Sequence, residues 1–113
     1  MPTVYVRQVS LKESLSDATV GEYWQWILSE VIPTMQKIPG IRSVRAFSGA
    51  GGLRADLRFV IEMDDGGVYE RMLADQQLRP LLARIYSAWD MNTARQTFVR
   101  EITPDLLRAL GGT

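Results

Sequence analysis

Apolar positions along the chain repeat with two periods, and each period predicts a different kind of element. Side chains of a strand alternate between two faces, so an apolar repeat of two residues indicates a strand. Four segments have this repeat: 4–9, 41–48, 53–63 and 92–102. The repeat of three to four residues that predicts a helix occurs over 20–38 and 68–89. The predicted order is therefore βαββαβ.

Local signals predict where the helices begin, bend and end. Thr19 and Glu22 have the spacing of a capping box, so Thr19 is the expected N-cap of the first helix. Pro33 lies inside the helical pattern and should bend or loosen the helix, and the Pro-Gly pair at 39–40 should end it. Pro80 should open a second piece of the second helix.

The order βαββαβ is typical of an α+β, ferredoxin-like domain, a four-stranded antiparallel sheet with both helices on one face. Right-handed crossovers place the first and third strands in its centre. We expect one domain over 1–113, with a core at 4–102 and a short C-terminal helix at 104–110. The predicted helix-facing residues are Val4, Val6, Val44, Ala46, Leu57, Phe59, Ile61, Phe98 and Ile102.

The opposite face is predicted to mix apolar and charged residues. It would carry Tyr5, Arg7, Val9, Arg45, Phe47, Asp56, Arg58, Val60, Glu62, Arg95, Thr97, Val99 and Glu101. One interpretation is a solvated sheet face, and the other is a face covered by a second copy of the chain. We favour the second copy, because this apolar patch is large for a monomer. The charged members would then pair between protomers, and the alternative is a carboxylate- or phosphate-binding site. The dimer-interface candidates are Tyr5, Arg7, Arg45, Phe47, Asp56, Arg58, Val60, Glu62, Arg95 and Glu101.

Composition excludes several chemistries. The sequence has no cysteine and no histidine, so thiolate metal sites, serine–histidine triads and histidine-ligated haem cannot form within the chain. Thirteen basic and thirteen acidic residues give zero net charge, which argues against nucleic acid as a partner. The N-terminus does not resemble a signal peptide, and no apolar run is long enough to span a membrane. We therefore expect a cytoplasmic protein with no membrane partner.

The layout resembles the dimeric α/β barrel superfamily, which includes small antibiotic-biosynthesis monooxygenases and stress-responsive barrel proteins. The segments that carry the resemblance are Val31-Ile32-Pro33, Ile38-Pro39-Gly40-Ile41, Ser43-Val44-Arg45-Ala46-Phe47 and Asp56-Leu57-Arg58-Phe59-Val60. The resemblance implies a homodimer with two sheets face to face, and a ligand pocket between each sheet and its own helices. Members of the superfamily include cofactor-free oxygenases, haem-degrading enzymes, isomerases and proteins without a known reaction. Lack of histidine separates this chain from the haem-binding members.

The resemblance implies a protein that binds a small apolar or aromatic molecule and acts as a cofactor-independent monooxygenase, with no cofactor and no metal. A non-enzymatic binding or structural dimer is the competing hypothesis. Aromatic residues of the two helices are the ligand-binding candidates: Tyr23, Trp24, Trp26, Tyr86 and Trp89. Their alternative role is packing in the core or at a dimer seam.

Individual residues and the element order raise two further functions. Removal of Met1 would expose the secondary amine of Pro2, which can act as a general base in tautomerases of similar length. RNA-recognition domains share the βαββαβ order and stack bases on sheet aromatics. The third predicted strand lacks the aromatic pattern that such binding needs, so RNA is not an expected partner.

Overall fold

The computed structural model describes residues 2–49 and 52–111, and its elements follow the predicted order. The strands are β1 (Thr3–Leu11), β2 (Ile41–Phe47), β3 (Leu57–Met63) and β4 (Trp89–Val99). The helices are α1 (Asp17–Trp26), α2 (Ile32–Gln36), α3 (Gly67–Ala74), α4 (Leu82–Ser87) and α5 (Pro104–Ala109). A π-helical turn at Ile27–Val31 joins α1 to α2, and a 3₁₀ turn at Arg79–Leu81 precedes α4.

The four strands form one antiparallel sheet in the order β2-β3-β1-β4, with the first and third strands in the centre. The predicted α+β class and strand order are confirmed. A buried core lies between the sheet and the helices and includes Val44, Leu57 and Ile61 from the sheet side. No helix within the described ranges is long and apolar enough to cross a membrane.

The predicted phase of β1, meaning which of its residues face the helices and which face the open side of the sheet, is wrong. Tyr5, Arg7 and Val9 were assigned to the open face, but they pair with Ile61, Phe59 and Leu57 and face the helices. Val4 and Val6, predicted to face the helices, therefore lie on the open face. Apolar residues occupy both sides of 4–9, so that short window does not define the phase. The strand continues to Leu11, which is buried with Val9 and settles which side faces the core.

Two other predicted interface residues lie outside the strands. Asp56 precedes β3 and has a positive φ of 53°, and Glu101 follows the end of β4. Ile102, predicted to face the helices, is also beyond β4 and is 78% exposed. The other interface candidates remain on the open face: Arg45, Phe47, Arg58, Val60, Glu62 and Arg95.

The first helix starts three residues earlier than predicted. Its N-cap is Ser16, whose hydroxyl accepts a hydrogen bond from the Thr19 amide at 3.1 Å. Thr19 is therefore inside the first turn and is not the cap. Ser16 competes better for this role because it has an extended backbone, as an N-cap requires.

Pro33 loosens the first helix as predicted, and the change takes the form of a π turn. The Ile32 amide bonds to the Ile27 carbonyl, five residues back. Pro33 has no amide hydrogen to give to a carbonyl of the preceding turn, so the regular helical ladder is interrupted there. Pro80 likewise lies at the start of the 3₁₀ turn before α4, which confirms the predicted division of the second helix.

Candidate functional site

A small apolar cavity lies between the sheet and the helices. Its volume is about 60 Å³. Strands β1 and β3 form its floor, and the helices and the start of β4 form its walls. The lining residues are Tyr5, Arg7, Ile27, Val31, Met35, Phe59, Ile61, Tyr69, Met72, Leu73, Leu78, Leu82, Ile85, Tyr86 and Trp89. Arg7 is the one charged side chain among them, and no carboxylate lines the cavity within the part of the chain that the structure describes.

The π turn contributes directly to this wall. Ile27 and Val31 begin and end the turn, and both are buried and line the cavity. Met35 follows at the same spacing on α2. In a regular α-helix, a residue four positions further along is rotated around the helix axis relative to the first one. A π turn has more residues per turn and reduces this rotation. The turn therefore helps three successive apolar side chains face the sheet.

Arg7 is held at the cavity by uncharged partners. Its Nε donates to the Tyr5 hydroxyl at 2.8 Å, and its Nη2 donates to Oε1 of Gln96 at 2.9 Å. Gln96 is its direct neighbour on β4. The guanidinium also lies 5.4 Å from the centre of the Trp89 ring. Of the ion pairs formed by residues 2–49 and 52–111, none involves Arg7.

Three aromatic rings pack against one another at the cavity, and two of them line it. The rings of Tyr5, Tyr69 and Phe98 lie within about 5 Å of one another, with centroid distances of 4.9, 5.1 and 5.1 Å. Burial raises the pKa of Tyr5, and the Arg7 charge offsets only part of that rise. Burial also raises the pKa of Tyr86. Both hydroxyls therefore stay protonated near neutral pH and are not available as bases.

Two of the five predicted ligand-binding aromatics line the cavity. Tyr86 and Trp89 are adjacent, with ring centroids 4.9 Å apart. Tyr23 lies behind Trp89, where its hydroxyl accepts a bond from Trp89 Nε1 and donates to the Ile85 carbonyl, each at 3.0 Å. Burial raises the pKa of Tyr23 to about 12, although the bond from Trp89 works in the opposite direction. Tyr23 is thus a packing residue that positions Trp89.

The other two predicted aromatics lie elsewhere. Trp24 stacks on Phe59 with centroids 5.7 Å apart, and its Nε1 donates to the Leu53 carbonyl at 2.9 Å. It lines a second, more open cavity of about 220 Å³ beside β2. Trp26 is buried beneath the Arg84 guanidinium, which lies 4.1 Å from a Trp26 ring centre. The three aromatic residues of α1, Tyr23, Trp24 and Trp26, therefore lie in three different environments.

Sequence reasoning missed Arg7 and Tyr69 as cavity residues. Arg7 was missed because the phase of β1 was wrong, and Leu11, whose burial shows the phase, lies beyond the predicted end of the strand. Tyr69 lies within the helical pattern predicted over 68–89, together with Met72 and Leu73, and all three line the cavity. No local signal separates a core stripe from a cavity wall, because both are apolar at helical spacing.

The charged residues of the open face form few ion pairs within one chain. Arg45 lies 3.8 Å from Glu62, and its guanidinium is 5.5 Å from the Phe47 ring centre. Arg58 forms no ion pair among the described residues. Arg95 bonds to the carbonyls of Asn92 and Ala94. The predicted network would therefore have to form between protomers.

Pro2 lies outside the helix–sheet cavity. It is exposed and borders a separate space of about 60 Å³ with Arg100, Glu101, Thr103 and Leu106. Within residues 2–49 and 52–111, no group of three acidic side chains is placed to hold a metal ion.

Comparison with known proteins finds similarity at the level of structure only. No protein-family model matches the sequence, and no curated protein matches it. Among solved structures, 81 chains match. A dimeric, ferredoxin-like protein of unknown function from Bacteroides fragilis has a TM-score of 0.73 and 10% identity, over 88% of this chain and 96% of that one.

Two oxygenase structures are similar to a comparable degree. SnoaB, a cofactor-independent oxygenase from Streptomyces nogalater, has a TM-score of 0.69 and 11% identity, over 91% of this chain and 97% of that one. An antibiotic biosynthesis monooxygenase has a TM-score of 0.69 and 11% identity, over 91% of this chain and its whole length, 100%. At these identities the likeness concerns backbone architecture. The predicted resemblance is confirmed at that level: this chain has the ferredoxin-like fold of dimeric and antibiotic-biosynthesis-monooxygenase-type proteins.

Proposed function

We propose that this protein is a homodimer that binds a small aromatic molecule in the helix–sheet cavity and oxidises it as a cofactor-independent monooxygenase. The observation that carries the proposal is the cavity wall, where five aromatic rings and no carboxylate are found among the described residues. The rings belong to Tyr5, Phe59, Tyr69, Tyr86 and Trp89. Such a wall suits a flat apolar molecule. The shared fold with SnoaB supports the same class of reaction.

The titratable groups of the site favour chemistry that resides in the substrate. The raised pKa values of Tyr5 and Tyr86 keep both hydroxyls protonated. In the proposed reaction, the substrate anion passes electrons to dioxygen and a carbon–oxygen bond forms. An activated CH₂ group becomes C=O, and the second oxygen atom leaves as water with the two hydrogens. The protein contributes orientation and exclusion of water.

The cavity is too small for an aromatic ligand unless some of its side chains move. An apolar cavity of roughly 150 Å³ holds benzene, whereas this one measures about 60 Å³. An aromatic ligand therefore requires lining side chains such as Tyr69 and Tyr86 to turn outward. Both are only partly buried. The same small volume favours the second candidate function, a non-enzymatic binding or structural dimer in which Trp89 completes the core.

Exposed apolar surface supports the homodimer. Of the nine large exposed hydrophobic residues in the described ranges, five lie at position 98 or beyond: Phe98, Val99, Ile102, Leu107 and Leu110. The open face adds Phe47 at 45% exposure. The radius of gyration is 15.6 Å, compared with about 13 Å for a compact chain of this length. The extended C-terminal part therefore offers apolar surface that a second copy would cover.

The tautomerase hypothesis has less support. A proline amine works as a base near neutral pH when apolar surroundings lower its pKa, and Pro2 is exposed. The space beside it carries Arg100 and Glu101 rather than an apolar wall.

Oxygen uptake with 1-naphthol, whose keto tautomer carries an activated CH₂ group at C4, tests the proposed reaction. We expect protein-dependent consumption of one dioxygen per substrate, with one oxygen-18 atom entering the product from labelled dioxygen. Leu82→Trp should fill the cavity and abolish uptake. Ala83→Trp, one residue along on the exposed side of α4, should not change it. Absence of protein-dependent uptake would favour the binding or structural role, and uptake that Leu82→Trp leaves unchanged would place the reaction outside this cavity.

A further inference from the structure

We propose that the ligand of the helix–sheet cavity is an organic anion whose carboxylate or phenolate oxygen binds Arg7. This inference rests on the proposed role of the cavity as a ligand site. It specifies that the ligand is negatively charged and that Arg7 is the residue that selects for this charge.

The hydrogen bonds of Arg7 leave one side of its guanidinium open. Nε is occupied by the Tyr5 hydroxyl, and one hydrogen of Nη2 is occupied by Gln96. Within the described part of the chain, Nη1 has no hydrogen-bond partner. A guanidinium has five N–H donors in a planar fork that matches the two oxygens of a carboxylate. The bonds to Tyr5 and Gln96 fix the plane of that fork before any ligand arrives.

The charge of Arg7 is not balanced by its neighbours. The cavity lining contains no acidic side chain among the residues described, and the two partners that hold the guanidinium are both neutral. Arg7 is also partly buried against the rings of Trp89 and Tyr5, at 5.4 and 5.8 Å. A charge in such surroundings is less screened than one on the surface, so it interacts more strongly with an anion.

The shape of the site determines the rest of the ligand. Arg7 shares the cavity lining with aromatic and aliphatic side chains, including Phe59, Leu82 and Tyr86. A molecule with one anionic oxygen and an apolar body would meet the guanidinium and this wall together. A neutral molecule of the same shape would contact the wall but would bring no negative charge to the guanidinium.

Paired ligands that differ only in charge test this inference. Benzoate and benzamide have nearly the same shape, and their affinities for the full-length protein can be compared by isothermal titration calorimetry. We expect benzoate to bind at least about tenfold more tightly, because a charged hydrogen-bonded pair favours it. 2-Naphthoate and 2-naphthamide repeat the comparison with a larger ring.

Variants of Arg7 identify the group responsible. Arg7→Met should remove the preference for benzoate, and Arg7→Lys should retain part of it because the charge remains without the fork. Arg45→Met, on the open face, should keep the wild-type preference. Circular dichroism establishes that each variant is folded, and the comparison of ligands on the wild-type chain does not depend on any variant.

Equal affinities for each pair, lack of binding by both acids, or an undiminished preference in folded Arg7→Met would each overturn the inference. The outcome is separable from the proposed reaction, because binding needs no oxygen. A preference for benzoate without oxygen uptake would contradict the proposed oxygenase reaction and support the anion site. Oxygen uptake with equal affinities for benzoate and benzamide would support the reaction and contradict the anion site.

Discussion

At the scale of single residues, Tyr23 connects the first helix to the segment that carries Trp89. Its hydroxyl donates to the Ile85 carbonyl and accepts from Trp89 Nε1, and all three residues are buried. Trp89 in turn packs against Tyr86 and lies beneath the Arg7 guanidinium. The position of the cavity wall therefore depends on one buried hydroxyl group.

Tyr23→Phe should destabilise the protein, because it leaves the Ile85 carbonyl and Trp89 Nε1 without this partner. We expect a loss of roughly 1–3 kcal/mol in the free energy of unfolding, measured by urea denaturation. Tyr86→Phe makes the same chemical change where the hydroxyl has no hydrogen-bond partner among the described residues, and it should change stability by less than about 0.5 kcal/mol. Equal losses in the two variants would contradict this role of the Tyr23 hydroxyl.

At the scale of elements, the start of α1 differs from the capping box that the sequence predicts. The predicted pair is Thr19 with Glu22. In the structure Ser16 caps the helix, and the Thr19 hydroxyl lies 2.9 Å from the Ser16 hydroxyl. The earlier start adds Asp17 to the first turn, where a negative charge favours the helix dipole.

Ser16→Ala should cost about 1 kcal/mol of stability, because the Thr19 amide loses its acceptor. Thr19→Ala should be close to neutral, since Thr19 is exposed within the helix and alanine has the higher helix propensity. Thermal or urea unfolding of both variants gives the comparison. A larger loss for Thr19→Ala would restore Thr19 as the cap.

At the scale of the whole molecule, the open face of the sheet and the extended C-terminal part are the surfaces left uncovered. Val6 and Val60 are direct partners in the two central strands, and Arg58 and Arg45 lie beside them. A second sheet placed against this face would bury the valines and give the arginines acidic partners such as Glu62.

Multi-angle light scattering should give a mass near twice that of one chain at micromolar concentration. Arg58→Glu should weaken the dimer if this face is the interface, because it changes the charge balance there. Ala83→Glu, on the exposed side of α4, serves as the control and should leave the mass unchanged. A monomeric wild-type chain would contradict the homodimer, and an unaltered dissociation constant in Arg58→Glu would place the interface elsewhere.

The sequence by itself determined the element order, the centre of the sheet and the interruptions of both helices. These features depend on apolar period and on Pro33 and Pro80, and both kinds of signal act locally. The faces of β3 were also predictable, because Leu57, Phe59 and Ile61 are apolar on one side while charged residues occupy the other.

Only the tertiary structure decided the site. Which side of β1 faces the helices was ambiguous, because apolar residues lie on both sides of the strand. Burial of Val9 and Leu11 against the helices resolved it. That choice moved Arg7 from the open face to the cavity. The sequence also left open where Tyr23, Trp24 and Trp26 pack. Helical periodicity shows which side of a helix is apolar, but it does not show which residues contact that side.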